Sequence, residues 1–367
     1  MGNSTHPVSR AALADIGDLL SPSPSGRRMP MPGFDDEFVD IVDYIIRITD
    51  RIWHERRIEL CLDYYAADSV IHTLGGDITG AQTVVDNTRD TLRAFPDRTL
   101  DGDNVIWSNR GAADGSNGYY SSHLITSRMT NEGDTEYGKA TGRRARIRTI
   151  ADCVCVNNQV VEEWLARDNA SLVMQLGFDP DDVAHAQARH DWESASPLYN
   201  TLQQWREQLV PLPPATPPAP EESPAEFARA VLGTVWARND QAVLPDVYDF
   251  RVAAHMTAGR DLYGTLEYGE YLDALHNSLS SVAISVDHVA DIPYLGSARD
   301  IAVRWSLSGV HSGDGLFGRA SGAPIYLLGM THWRIIRGRI KEETTVFDEL
   351  ALRRQIAHHR LRFEAGN

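Results

Sequence analysis

TGRRARIRTIADCVCVNNQVVEEWLARDN, residues 141–169, returns near the C-terminus as SGAPIYLLGMTHWRIIRGRIKEETTVFDE, residues 321–349. Without a gap, Gly142 falls on Gly322, Glu162 on Glu342, Glu163 on Glu343 and Asp168 on Asp348. One unit is used twice. YGKATG (137–142) likewise matches FGRASG (317–322), and His72 and His255 close similar strand-like runs shortly before Gly80 and Gly264. Two units of about 130 residues exceed any solenoid period, so the repeat predicts a duplicated domain whose halves pack as a pseudo-dimer.

Within each unit helices precede strands. Phe38, Ile41, Val42, Ile45, Ile46 and Ile48 recur at helical spacing, and helices are expected over 56–68 and 81–97, the latter stopped by Pro96. Strand-like runs follow at 69–74, 99–110, 117–130, 143–156 and 160–168, with a tight turn at NNQ. The second unit repeats this order from PAEFARAVLGTVWARND (224–240) onward. Helices followed by strands predict an α+β fold, with helices on one face of a curved antiparallel sheet. Residues 1–33, rich in Ser, Pro and Gly, read as a flexible tail with a short helix over 12–20. Residues 179–210 read as helical, and PLPPATPPAPEESP (211–224) as an extended spacer. The expected domains are 34–178 and 224–358, with 179–223 as linker.

The 367 residues carry a formal net charge of -16. That balance argues against nucleic acid or an anionic membrane surface as a partner, since either calls for a basic face. Cys61, Cys153 and Cys155 make no disulfide framework and no zinc pattern. No run reaches the roughly 18–20 apolar residues of a membrane span, and no signal peptide is apparent, so a cytoplasmic protein is expected. GxGxxG, P-loop, HExxH, CxxC and G-x-S-x-G motifs are absent, so neither cofactor nor metal is expected.

Strict alternation along 159–168 puts Val160, Glu162, Trp164, Ala166 and Asp168 on one face, with Ile340, Glu342, Thr344, Val346 and Asp348 as their equivalents. This set is the more apolar, so it is assigned to the helix-covered side. A carboxylate buried there has a raised pKa and can move protons near neutrality. A strand-end cap or an arginine partner is the structural alternative for Asp168 and Asp348. His72 could orient or share the proton of Asp168, and His255 that of Asp348. Trp164, Glu162, His123, Tyr326 and His332 are the candidate ligand contacts. Tyr326 stands opposite Arg146 in the repeat and His332 opposite Asp152, while His123 faces only Val303. Arg144, Arg146 and Arg148 share one strand face and read first as a solvated stripe.

YYAADSVIHTLGGDITG, KATGRRARIRTIAD and NNQVVEEWLARD together resemble the SnoaL-like polyketide cyclases of the nuclear transport factor 2-like superfamily, over about 34–178 and more weakly 224–350. The resemblance implies two tandem cone-shaped α+β barrels. Each would be a strongly curved antiparallel sheet wrapped by about three helices around a pocket. It also implies metal-free intramolecular aldol chemistry, with an aspartate near the closing strand as acid/base. Asp168 and Asp348 match that position. The expected function is a cofactor-independent acid/base enzyme acting on a small, mostly apolar carbonyl compound (cyclase, isomerase, lyase or hydrolase). A non-catalytic binding or scaffolding protein of the same fold is the alternative. A small-molecule ligand is the expected partner, and further homo-oligomerisation is compatible with the chain. If one pocket works, the first is the expected one, because three arginines and a tryptophan there become Pro, Tyr, Leu and Thr in the second.

Overall fold

A computed structural model describes residues 29–110, 118–213 and 223–365. The expected tail helix at 12–20 and most of the proline-rich spacer lie outside the described residues. In the first module, α1 (Ile41–Trp53) starts where the Asp40 carboxylate accepts from the Asp43 amide at 2.8 Å, an N-cap that satisfies a free helix-end donor. Ile41, Tyr44, Ile45, Ile48 and Ile52 form its buried stripe. The helix expected over 56–68 is shorter. A 3-10 turn (Ile58–Leu60) and α2 (Cys61–Tyr64) give way at Tyr65 to β1 (Tyr65–His72). Then come β2 (Ile78–Thr79), α3 (Ala81–Ala94), β3 (Thr99–Arg110), β4 (Gly118–Thr130), β5 (Arg144–Val156) and β6 (Gln159–Arg167). Asn157 and Asn158, both at positive φ, make the two-residue hairpin turn between β5 and β6. Helices α4 (Asn169–Leu176), α5 (Pro180–Glu193) and α6 (Leu198–Gln208) lead to the second module.

That module repeats the order with α7 (Pro224–Val231), α8 (Leu244–Val247), β7 (Tyr248–Met256), β8 (Arg260–Tyr263) and α9 (Gly264–Ser278). β9 (Leu279–Pro293), β10 (Arg299–His311), β11 (Ala323–Ile336), β12 (Arg339–Phe347) and α10 (Glu349–Ala365) complete it. None of the helices described is long and apolar enough to cross a membrane.

The sheets overturn the expected closed, strongly curved antiparallel cones. Each is an open six-stranded sheet, ordered β2-β1-β6-β5-β4-β3 and β8-β7-β12-β11-β10-β9. Each is also mixed, because β1 runs parallel to β6 and β7 parallel to β12. β2 has two residues, and the β1–β6 register is broken between Tyr65 and Val70. No continuous ladder therefore carries the edge at β2 round to β3, and helices rather than barrel closure cover the inner face.

The modules meet through the outer faces of their sheets. Leu124, Ile150 and Ala166 pack on Met330 and Val346, and Ile106 on Ala290 and Ala302. Polar pairs cross the same layer. Arg304 donates to Asp152 at 2.7 Å, Asn104 to Asp300 at 2.8 Å, and Ser122 bonds His332 Nε2 at 2.9 Å. Desolvated polar groups at such an interface fix its register, because each lacks a partner in any other alignment.

Candidate functional site

Strand β6 breaks strict alternation at one place. Val154 pairs with Glu162 but Cys155 pairs with Val160, so Val161 is an extra residue, a β-bulge. The same bulge recurs at Lys341, between the Arg334–Glu342 and Ile335–Ile340 pairs. A bulge reverses the facing of everything beyond it. The expected face is thereby corrected: Val160 points inward together with Glu163, Leu165 and Arg167, while Glu162 and Trp164 point outward, toward the other module.

The expected site residues consequently separate. His72 lies between Asp77 (Nδ1, 2.9 Å) and Glu162 (Nε2, 3.1 Å) and stacks on Trp164. The Arg304 guanidinium carbon also lies over the Trp164 ring, 3.4 Å from its centre. His255 is bonded to Asp261 at 2.5 Å, and Arg148 approaches the same carboxylate at 3.7 Å. Tyr326 bonds Ser306 at 2.8 Å, and His332 is buried against Ser122. Arg144 and Arg146 are exposed, as a solvated stripe would be.

Asp168 caps α4. It accepts from the Ser171 amide (3.2 Å) and from the amides of Ala258 (2.7 Å) and Gly259 (3.2 Å) in the β7–β8 turn of the second module. Burial raises its pKa to about 6. Asp348 accepts from the Ala351 amide (3.0 Å) and from Asn169 Nδ2 (2.5 Å), and burial raises its pKa to about 6 as well. The structure does not pair Asp168 with His72 or Asp348 with His255. Of the expected residues, His123 and Asp348 alone reach the main cavity.

That cavity, about 720 Å³, lies mainly in the first module between the sheet and helices α1 and α3, and Asp348, Leu350, Ala351 and Arg354 of the second module also line it. Ile45, Ile48, Ile52, Ile71, Ile125 and Ile147 give it apolar walls. Glu163 projects into it and accepts from Tyr65 Oη at 3.0 Å, and burial raises its pKa. Two strands away, His123 is 3% exposed and stays neutral because burial pulls its pKa to about 3. Gly102 makes room for its ring, since a Cβ there would lie 2.8 Å from Nε2. His123 Nε2, Thr149 Oγ1, Arg98 Nε and Arg167 Nε are buried without partners on the cavity wall. Among the described residues no group of three or more His, Cys, Asp or Glu could hold a metal ion.

The second module fills the corresponding space. Register places Trp305 where the first module has Ile125, Gly329 for Thr149, Trp333 for Cys153 and Phe347 for Arg167. The Trp305 indole lies on Gly329, where a Cβ would meet it at 2.1 Å. Glu343, the equivalent of Glu163, is fully buried and accepts from Tyr248 (2.9 Å), Tyr268 (3.1 Å), Trp333 Nε1 (2.9 Å) and Thr345 (2.8 Å). A carboxylate so saturated has no lone pair free for a ligand. The inward glutamates match as well between the copies as the aspartates do. Only knowledge of the bulge would have distinguished Glu163 from Glu162.

A sequence profile described as SnoaL-like polyketide cyclase matches residues 44–176 and again 227–356. No curated protein matches. Similar solved structures include AclR from Streptomyces galilaeus, at 19% identity over 36% of this chain and 92% of that one, TM-score 0.31. TsrD from Streptomyces laurentii shows 14% identity over 37% and 94%, TM-score 0.32. A SnoaL-like polyketide cyclase from Agrobacterium tumefaciens shows 13% identity over 37% and 97%, TM-score 0.30.

Proposed function

The chain belongs to the SnoaL-like polyketide cyclase family, and from that premise we propose that its first module is a cofactor-independent acid/base enzyme acting on a small, mostly apolar carbonyl compound. The observation that carries this reading is Glu163, a desolvated carboxylate on the wall of a cavity that combines isoleucine walls with polar side chains. A raised pKa brings such a group toward the range where it can both take and return a proton. Glu163 would remove the proton next to the substrate carbonyl. Tyr65, donating to its second oxygen, would hold the carboxyl in place. The neutral His123 imidazole, whose Nε2 is buried without a partner, is a donor available to the enolate oxygen. In this reading Asp348 is a polar residue at the cavity margin, and Asp168, His72 and His255 lie outside the chemistry. The second module, filled and with Glu343 saturated, is a structural partner.

The test needs no knowledge of the final product. Exchange of α-protons into deuterated water, followed by NMR over a panel of medium-chain ketones, reports enolisation directly. Glu163→Gln should lower that exchange by about 10²–10⁴-fold, whereas Asp168→Asn should leave it near wild type. No exchange with any ketone, or exchange indifferent to E163Q, would replace this reading with that of a ligand-binding module.

A further inference from the structure

Four arginines at or near the contact between the modules have acidic partners: Arg304 has Asp152, Arg334 has Asp300, Arg353 has Glu349 and Arg354 has Asp191. Two in the cavity do not. Arg98 follows α3 in the turn to β3 and is 7% exposed. The Trp53 ring lies 4.9 Å from its guanidinium carbon, and Nη2 donates to the neutral Ser127 hydroxyl at 3.2 Å. Its Nε–H is buried without a partner. Arg167 ends β6 on the face that carries Glu163 and Leu165, and its Nε–H is also buried and unpartnered. Thr149, directly across the β5–β6 ladder from Arg167, adds an unpartnered hydroxyl. The two guanidinium groups are close enough to interact. Burial first, and the charge of Arg167 second, pull the Arg98 pKa down to about 9, which leaves it protonated at neutral pH. Among the described residues no carboxylate lies within ion-pair distance of either arginine.

Arg98 is a buried charge and Arg167 a half-buried one; neither has a carboxylate in ion-pair contact, Glu163 acting on Arg167 only at longer range, and a bound anion lowers the cost of holding the two together. We propose that Arg98, Arg167 and Thr149 form an anion subsite, and that the ligand of the cavity is a carboxylic acid with an apolar body. A planar carboxylate matches guanidinium N–H edges, and its remaining lone pairs can accept from the hydroxyl. The isoleucine walls suit an aliphatic or aromatic body rather than a sugar or nucleotide. Arg167 stands four residues from Glu163 along one strand, about 13 Å at roughly 3.3 Å per residue. The acid group is therefore several bonds away from the carbon whose proton Glu163 moves. That last statement rests on the acid/base reading above; the anion subsite does not.

Fluorescence titration with 11-(dansylamino)undecanoic acid and its primary amide separates charge from apolar fit. Wild type should bind the acid about tenfold or more tightly than the amide. Arg98→Met and Arg167→Met should each bring the two affinities within about threefold, mainly by weakening the acid. Glu163→Gln should keep the preference for the acid, so loss of α-proton exchange and loss of anion binding fail separately. If R98M does not fold, R167M carries the test. Equal affinity for acid and amide in wild type, no binding of the acid, or a preference that survives in folded arginine variants would overturn the assignment.

Discussion

Both Asp168 and His332 are buried between the modules, and they answer to pH in opposite senses. Asp168 has a folded pKa near 6, above the ordinary aspartate value, because burial outweighs its three amide donors. The native state therefore binds more protons than the unfolded chain between about pH 4 and 6, and stability from this group is lost as pH rises through that window. His332 has a folded pKa pulled by burial to about 4, below the ordinary histidine value, in spite of the nearby Asp300 and Asp152. Stability from His332 is lost as pH falls from 6.5 toward 4. In wild type the two slopes offset each other, and single variants expose them. Relative to wild type, His332→Gln should gain about 2 kcal/mol on going from pH 7 to pH 5. Asp168→Asn should gain about 2–3 kcal/mol from pH 4 to pH 7, whatever its constant loss of cap bonds. Urea denaturation at the paired pH values checks both, and parallel curves for wild type and variant would refute them. A strand-end cap was the expected structural alternative for Asp168, but the helix it caps, Asn169–Leu176, was not expected, although Asp is among the favoured N-cap residues. What hid the second module's amides is that Ala258 and Gly259 are distant in sequence and carry no side-chain signal.

Among the elements, β6 and β12 show what periodicity can and cannot reveal. Their existence, their length and the hairpin turn before them follow from β-branched residues flanking Asn-Asn and Arg-Gly. Their inward faces do not, because a bulge at Val161 or Lys341 leaves no compositional mark, and one extra residue exchanges Glu162 for Glu163. The closed cone was inferred by analogy, whereas a two-residue β2 and a broken β1–β6 ladder leave the sheet open. Once register is known, the unequal copies become readable: Ile125, Thr149 and Ala151 face Trp305, Gly329 and Thr331. Trp305 needs both neighbours, Gly329 for space and Thr331 to accept its indole N–H at 3.0 Å. Transplanting all three (Ile125→Trp, Thr149→Gly, Ala151→Thr) should put an indole across the first cavity and narrow it without filling it, because the volume gained at 125 is nearly lost again at 149. The triple variant should bind the dansyl acid more weakly, with an indole in its path and the Thr149 hydroxyl gone, and should change little in stability. Titration and thermal denaturation test this, and undiminished binding would show that the space is not equivalent.

At the level of the whole molecule, an emptier and a fuller copy share one outer-face interface. Packed interiors protect their amides, while a cavity removes contacts from its lining. Hydrogen exchange by mass spectrometry should therefore find β4–β6 less protected than β10–β12. Equal protection would mean that the interface makes the two modules a single cooperative unit. The tandem organisation was plain from the matching of 141–169 to 321–349; the direction of the asymmetry was only partly so. The arginine stripe and Trp164, which had favoured the first copy, lie outside its cavity, yet that copy is the one with the cavity.

Trp305 on Gly329 also bears on how such a chain can change over time. In a single-domain ancestor every residue lining the hollow would have served both folding and binding, and each change there would have been judged on both. Here one copy has closed its interior and supports its neighbour through the shared interface. Substitutions around the remaining hollow can then alter which molecules it accepts before they endanger the fold. Duplication followed by plugging one copy thus gives the chain mutational tolerance where ligand choice is decided.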